Sequence, residues 1–185
     1  NGRRHRADRG RKLDRFNPFA NRTMGRALML VGDNEGGRTW FERCVELNPN
    51  YAFAIYNRAL ADAVTGQGAD SELGTVRALA LSPIDPLRYA MLATRALSYI
   101  VREEYGTASE WAQKGAEAPN AHLHIRVIAA VAHELAGNKA AADRWASEIR
   151  RRDREYRRET FFDAFPFRDD RTRATIRGAM DRLEL

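Results

Sequence analysis

Three prolines recur at a nearly constant interval along this chain of 185 residues. They are Pro49, Pro83 and Pro119, and each ends a run of residues that favours helix. The first two prolines are 34 residues apart and the next two are 36 residues apart. A fixed period of about 20–50 residues is the signature of a repeat architecture. The chain is therefore predicted to fold as a stack of similar units that bury their apolar side chains against one another.

Three tryptophans support the same period. When the units begin at residues 18, 52, 89 and 123, the tryptophans fall at the twenty-third position of three units, and they are Trp40, Trp111 and Trp145. The third unit is preceded by three additional residues around Pro86. The predicted repeats are residues 18–51, 52–85, 86–122 and 123–154.

Each unit reads as two helices joined by a turn. Glycine marks this turn in three units, at Gly32, Gly66 and Gly137, whereas the third unit has Glu103 in this region. Glycine suits the position because helices commonly end with a residue in the left-handed conformation. Runs rich in Val, Ile and Thr, which strands prefer, are missing, and 44% of the residues are hydrophobic. These features predict an all-α globular fold.

Residues that cap helix N-termini precede several of the predicted helices. Asn17 and Pro18 suit the start of the first helix, and Asp33 or Asn34 suits the start of the second. Asp70 or Ser71 is predicted to begin the second helix of the second unit. Near the C-terminus, Asp169-Asp170 predicts another helix start.

The residues at the predicted helix contacts follow a known pattern. In the first unit, Met24-Gly25 lie at positions 7 and 8, Gly37 at 20, Phe41 at 24, Cys44 at 27 and Pro49 at 32. This pattern resembles the tetratricopeptide repeat, and its phase holds through four units. Positions 8, 20 and 27 are small because a bulky side chain there would push the closely packed helices apart. The resemblance implies a right-handed superhelical stack of helix-turn-helix repeats, an α-solenoid.

The resemblance also implies an interaction function. The segments LALSPIDPLRYAMLA, APNAHLHIRVIAA and FPFRDDRTRATIRGAM are similar to arrays attached C-terminally to bacterial winged-helix transcription regulators or nucleotide cyclases. Arg outnumbers Lys by 28 to 3, which is typical of a GC-rich bacterial genome. The chain is interpreted as a non-enzymatic, cytoplasmic protein-interaction module of a larger bacterial signalling or transcription protein.

Candidate binding residues lie on the concave side of the stack that the resemblance implies. The first helix of each hairpin lines this groove. The candidate partner-binding residues are Phe19, Arg22, Arg26, Phe53, Tyr56, Asn57, Thr94 and His124. Because the first half of the groove is aromatic and basic, a peptide with an aromatic or aliphatic anchor and an acidic group would suit it. Alternatively, Leu60, Leu97 and Ile128 at equivalent positions are ordinary core between repeats.

The two ends of the chain depart from the four complete units. Residues 1–16 match the second half of a repeat, with Ala7, Gly10 and Leu13 in register, and are predicted to be the second helix of a truncated repeat. Residues 155–185 form a predicted cap that covers the open end of the stack. This cap carries four phenylalanines in seven residues, followed by an apolar helical face at Ile176, Ala179, Met180 and Leu183.

Charge and residue chemistry leave two alternatives for function. Residues 1–20 carry seven basic and two acidic side chains, and RRRDREYRR begins at Arg150, so a nucleic-acid-binding helical repeat is one alternative. A self-assembly module that forms a homodimer is the other. For this fragment, direct nucleic-acid binding is not expected, because the rest of the chain is close to neutral.

Motifs for catalysis, metal binding or membrane insertion are not found. Cys44 is the single cysteine, and His122 and His124 diverge on a helix without a third ligand nearby. No glycine-rich phosphate loop is present, and no apolar run approaches the ~20 residues that a membrane span needs. The sequence predicts neither an enzyme nor a bound cofactor or metal.

Overall fold

The computed structural model describes residues 16–185, which form ten α-helices and no strand. Eight helices form the repeats: α1 (Pro18–Leu30), α2 (Asn34–Leu47), α3 (Ala52–Val64), α4 (Gly68–Leu81), α5 (Arg88–Val101), α6 (Tyr105–Glu117), α7 (Leu123–Leu135) and α8 (Lys139–Arg152). Two more follow them, α9 (Arg158–Ala164) and α10 (Asp170–Arg182). The helix predicted for residues 1–16 lies outside the described residues, except for Phe16.

The eight repeat helices pack as four hairpins. Each hairpin joins a first helix to a second helix, in the pairs α1 and α2, α3 and α4, α5 and α6, and α7 and α8. Each second helix also packs against the first helix that follows it, and each first helix contacts the first helix of the next hairpin. The first helices therefore form one continuous layer, called the inner face below. The predicted all-α stack of helix-turn-helix repeats is confirmed.

Side-chain caps confirm three of the predicted helix starts. The N–H of Phe19 donates to Asn17 Oδ1 at 2.9 Å at the start of α1. Asp33 caps α2 by accepting from the N–H of Gly36 at 3.0 Å, and Asp169 caps α10 by accepting from the N–H of Thr172 at 2.8 Å. Each cap satisfies a backbone donor that the helix itself leaves unpaired.

The helix start predicted at Asp70 or Ser71 is wrong, because α4 begins at Gly68. Gly68 packs so closely on the next repeat that a Cβ atom would lie 2.7 Å from the carbonyl oxygen of Ser98 on α5. This start therefore coincides with a contact between repeats, which local capping signals do not report.

The turn within each hairpin has a residue in the left-handed conformation. Three are the predicted glycines, Gly32, Gly66 and Gly137, with φ of 83°, 85° and 77°. In the third hairpin Glu103 takes this place with φ of 63°. The left-handed conformation is uncommon for a side chain other than glycine, and Glu103 forms an ion pair with Arg171 at 2.5 Å. The same turn geometry is thus kept in all four hairpins.

The close approach of α1 and α2 explains the small residues of the first repeat. A Cβ atom on Gly37 would lie 2.9 Å from the carbonyl oxygen of Gly25 and 2.8 Å from Cγ of Met29. Since one of these atoms belongs to the backbone, the helices themselves would have to separate to accept a side chain. The two glycines set the distance between the helices of this hairpin.

Gly37→Ala is expected to destabilise the fold by about 1–3 kcal/mol, because it overpacks the contact between α1 and α2. Gly106→Ala is the matched control, since a Cβ atom on Gly106 of α6 meets nothing within 4 Å. The control should be neutral or should stabilise by up to about 1 kcal/mol through its higher helix propensity. Urea unfolding followed by circular dichroism measures both changes, and equal effects would contradict this account of the contact.

A buried carboxylate joins the first two repeats. The Asp62 side chain on α3 is only 1% exposed, and its Oδ1 lies 3.0 Å from Nε of Arg38 on α2. Arg58 Nε lies 3.7 Å from the other oxygen. Burial raises the pKa of Asp62 to about 6, and the two arginines oppose this rise. Asp62 occupies position 11 of its repeat, counted from residue 52.

The raised pKa of Asp62 predicts a specific pH dependence of stability. Between its ordinary pKa near 3.8 and about 6, the folded state binds more protons than the unfolded state, so stability falls as pH rises. Relative to Asp62→Asn, the wild-type chain should therefore lose about 2 kcal/mol of unfolding free energy between pH 4 and pH 7. Urea titrations of both chains at several pH values test this. If the unfolding free energy of the wild-type chain instead rises with pH relative to that of Asp62→Asn, the two arginines lower the pKa of Asp62 by more than burial raises it.

Candidate functional site

The C-terminal segment, residues 156–185, packs on the inner face. At the start of α7, the His124 ring is surrounded by the rings of Phe165 and Phe161, with centroids 6.1 and 6.5 Å away. His124 Nδ1 also lies 2.9 Å from the hydroxyl of Tyr156. The beginning of the C-terminal segment therefore covers the inner face of the fourth repeat.

The segment then reaches the turns of the first two repeats. Asn34 Nδ2 donates to the carbonyl oxygen of Pro166 at 3.0 Å. The backbone N–H of Arg168 donates to the carbonyl oxygen of Val64 at 2.8 Å, and its guanidinium donates to that of Gly32 at 2.5 Å. The two bonds of Arg168 use the carbonyl groups of the last residue of α3 and of the turn after α1, where backbone acceptors lack partners within a helix.

Helix α10 returns along the stack toward the fourth repeat. Arg171 pairs with Glu103 at the third turn, and Arg182 Nε lies 2.6 Å from a carboxylate oxygen of Glu134 on α7. At the end of the chain, Arg150 Nη1 of α8 donates to the carbonyl oxygen of Leu183 at 2.7 Å. The C-terminal residues therefore contact all four repeats.

Burial makes the C-terminal segment part of the same hydrophobic core as the repeats. Six of its large apolar side chains are buried, and they are Phe161, Phe162, Phe167, Ile176, Met180 and Leu183. They belong to the same hydrophobic cluster as Leu60, Leu97 and Ile128 of the repeats. At about 1.5–3 kcal/mol for each side chain, this burial contributes on the order of 10 kcal/mol, which matches the whole stability of a typical domain. The segment covers apolar surface, as predicted, and that surface extends along the inner face.

Of the eight candidate binding residues, three are buried or held by the C-terminal segment, and the other five lie together. Asn57 and Thr94 are buried, and Asn57 Nδ2 donates to the carbonyl oxygen of Phe53 at 2.6 Å. His124 is engaged by the C-terminal segment. The other five lie together on the first two repeats and are called the arginine–aromatic cluster: Phe19, Arg22, Arg26, Phe53 and Tyr56. Leu60, Leu97 and Ile128 are buried, as expected of core between repeats.

Arg22 lies at the centre of the arginine–aromatic cluster. Its guanidinium carbon is 4.9 Å from the centre of the Phe19 ring on α1 and 4.7 Å from that of the Phe53 ring on α3. Phe53 stacks in turn on Tyr56, with ring centroids 5.8 Å apart and planes 8° from parallel. These cation–π contacts hold the arginine head group between two aromatic rings.

The cluster contains two cations without acidic partners. Among residues 16–185, no ion pair involves Arg22 or Arg26. Nε of Arg22 and Nη1 of Arg26 are buried without a hydrogen bond, although Arg22 Nη2 donates to Thr23 Oγ1 at 3.4 Å. Burial lowers the pKa of Arg26; the neighbouring Tyr56 opposes this fall, and the charge of Arg22 adds a smaller lowering.

The cysteine and the two neighbouring histidines singled out in the sequence make contacts within the fold. Cys44 is buried, its Sγ lies 3.0 Å from the carbonyl oxygen of Pro18, and burial raises its pKa to about 11, so it is a protonated thiol near neutral pH. His122 Nε2 lies 2.5 Å from the hydroxyl of Tyr89, so His122 and His124 have different partners. In the described part of the chain, no three His, Cys, Asp or Glu side chains form a metal-binding group. No helix there is long and apolar enough to cross a membrane.

The basic run that begins at Arg150 is engaged within the fold. Arg151 and Arg152 pair with Glu148, one turn earlier on α8. Arg158 pairs with Glu159 and with Asp181 of α10. Arg154 and Arg157 of the same run are exposed, and within residues 16–185 no ion pair involves them.

Solved structures with the same architecture are known. The sequence matches no protein-family model, and no curated protein matches it. The structure is similar to the crystal structure of MamA protein, with a TM-score of 0.62 and 17% identity over 82% of this chain and 81% of that one. It is also similar to YrrB, described as a TPR protein with an unusual peptide-binding site, with a TM-score of 0.61 and 13% identity over 95% and 91% of the two chains. At such identities the likeness shows the fold alone, a TPR-like helical repeat solenoid.

Sequence reasoning missed the position of the C-terminal segment. A cap at the end of the stack needs one apolar helical face, which α10 supplies. The additional phenylalanines before α10, interrupted by Pro166, were a signal that a second stretch, formed by α9 and residues 165–167, also packs on the repeats. Four large aromatic side chains in seven residues exceed what one helical face can bury.

Removing one buried side chain from the C-terminal segment should destabilise the whole chain. Phe167→Ala and Met180→Ala are each expected to lower the unfolding free energy by about 2–5 kcal/mol, because both leave cavities in the shared core. Ile84→Ala is the control, since Ile84 is 93% exposed and its loss should cost less than about 0.5 kcal/mol. Urea unfolding should show one transition by tryptophan fluorescence and by circular dichroism. Separate transitions would mean that the segment is not part of the common core.

Proposed function

We propose that this chain is a protein-interaction module that binds a short segment of a partner protein on the inner face of its first two repeats. One observation carries the proposal: the arginine–aromatic cluster lies on α1 and α3 and holds two arginines without an ion pair among residues 16–185, whereas the inner face farther along the stack is filled by the C-terminal segment. Phe19, at one edge of the cluster, is 61% exposed. Exposed aromatic residues beside arginine are typical of positions that dominate binding energy.

The TPR-like fold supports a protein or peptide partner. YrrB, with the same fold, is described as having a peptide-binding site. A layer of first helices gives a peptide a long, rigid surface, and rigid surfaces limit the entropy lost on binding. A binding role without catalysis is the function proposed.

We place the module in a larger bacterial signalling or transcription regulator in the cytoplasm. The similarity of LALSPIDPLRYAMLA and the two other segments to arrays of such regulators supports this context. The nucleic-acid alternative has less support, because the arginines from Arg150 to Arg158 are largely paired with acidic groups or with the backbone. The basic residues 1–15 lie outside the described residues.

Peptide selection tests the proposed site. Twelve-residue peptides selected on the full chain by phage display should bind Phe53→Ala at least about tenfold more weakly, because Phe53 contacts both Arg22 and Tyr56. Ile84→Ala, on an exposed loop, should bind as the wild-type chain does. Fluorescence anisotropy measures the affinities, and circular dichroism verifies that each variant is folded. Selected peptides that bind Phe53→Ala with unchanged affinity would exclude the cluster as the site.

A further inference from the structure

We propose that two copies of this chain associate through the outward side of α4, with the two α4 helices antiparallel. Helix α4 is the second helix of the second hairpin, so this surface lies outside the layer of first helices that forms the inner face. The inference concerns a second interface, which can be tested separately from the binding site proposed above.

The exposed side of α4 is apolar along most of its length. Ala69, Leu73, Val76 and Ala80 are all exposed, and Leu73 and Val76 are 69% and 42% exposed. Their spacing of four, three and four residues is the a and d spacing of a coiled coil, which places them on one narrow stripe, called the α4 seam below. A single exposed leucine is ordinary, but a stripe with this period is the pattern with which one helix packs on another.

The other second helices of the stack provide a comparison within the same molecule. Leu73, Val76 and Ala80 occupy positions 22, 25 and 29 of a unit that begins at residue 52. The same positions in the three other repeats are polar or charged: Thr39, Glu42 and Glu46 on α2, Glu110, Gln113 and Glu117 on α6, and Arg144, Ser147 and Arg151 on α8. The repeat fold therefore does not require apolar side chains at these positions, which indicates a contact outside the chain.

Charges beside the α4 seam indicate that the partner is a second copy. Asp70 and Arg77 are exposed, lie seven residues apart, and each directly follows a d residue of the seam. Within residues 16–185 no ion pair involves either side chain, and Arg77 Nη2 donates to the carbonyl oxygen of Pro49 at 2.5 Å, which uses one of its several donors. When two such helices lie antiparallel, Asp70 of each copy lies opposite Arg77 of the other, so one two-fold axis forms two ion pairs.

The same charges disfavour a parallel dimer. A parallel pair would place Arg77 beside Glu72 of the other copy. The Glu72 carboxylate is already used, because it accepts from the hydroxyl of Tyr99 at 2.5 Å and pairs with Arg102. Only the antiparallel arrangement gives Asp70 a basic partner, and opposed helix dipoles favour it as well.

The size of the contact determines the expected strength of the dimer. In the antiparallel pair, Leu73 of one copy packs on Val76 of the other at the centre, and Ala69 packs on Ala80 at both ends. A contact between two single helices buries less than about 1,200 Å² in total, which is the range of weak and reversible interfaces. The expected dissociation constant is therefore on the order of 10–100 µM.

Sedimentation equilibrium of the full chain at about 5–500 µM tests the association. The wild-type chain should dimerise over this range, and Val76→Glu should weaken the dimer at least about tenfold, because it places a charge in the apolar seam. Ser147→Glu is the matched control, since Ser147 is exposed at the same position of α8, and it should leave the dimer unchanged. Circular dichroism verifies that each variant is folded. A wild-type chain that stays monomeric at the highest concentration, or Val76→Glu that dimerises as the wild type does, would overturn the proposal.

Exchange of the two charges tests the antiparallel orientation. Asp70→Arg and Arg77→Asp should each weaken self-association about fivefold, because each brings like charges together across the two-fold axis. An equimolar mixture of these two variants should form a heterodimer at least as stable as the wild-type dimer, because each charge beside the seam then meets an opposite one. The double variant Asp70→Arg/Arg77→Asp should also recover the dimer. A mixture that associates no more tightly than either variant alone would overturn the antiparallel pairing.

Discussion

Burial of the C-terminal segment on the inner face is the interaction on which this structure depends. A stack of helical hairpins has an apolar face at each open end and an inner face that is only partly used in contacts between repeats. Here Phe161, Phe167, Ile176 and Met180 are buried in the core shared with the repeats, α10 packs on α7, and residues 166–168 bind the turns of the first two hairpins. Contacts between residues more than a hundred positions apart therefore hold a nearest-neighbour stack together as one unit.

The repeat itself could be predicted from the sequence because its signals are local and periodic. Prolines, turn glycines and small residues at fixed positions each report a requirement within one hairpin. Gly25 and Gly37 show this directly, since the close contact predicted for positions 8 and 20 is present. Of the four predicted turn positions, Glu103 departs in residue type but keeps the conformation.

The structural features that the sequence could not predict depend on contacts between residues that are far apart in the chain. Gly68 begins α4 because it packs on α5, and Asp62 is tolerated in the core because Arg38 of another hairpin is 3.0 Å away. His124 has the position of a groove residue in its own repeat, yet its ring is surrounded by residues that follow more than thirty positions later. No pattern within a repeat carries this information, so the candidate site could be narrowed from eight residues to five only with the structure.

The same segment that stabilises the stack also determines where a ligand can bind. Since its burial contributes an amount similar to the stability of a whole domain, it cannot leave the inner face without loss of the fold. The segment therefore covers the later repeats in the native state, and the proposed binding site is limited to α1 and α3.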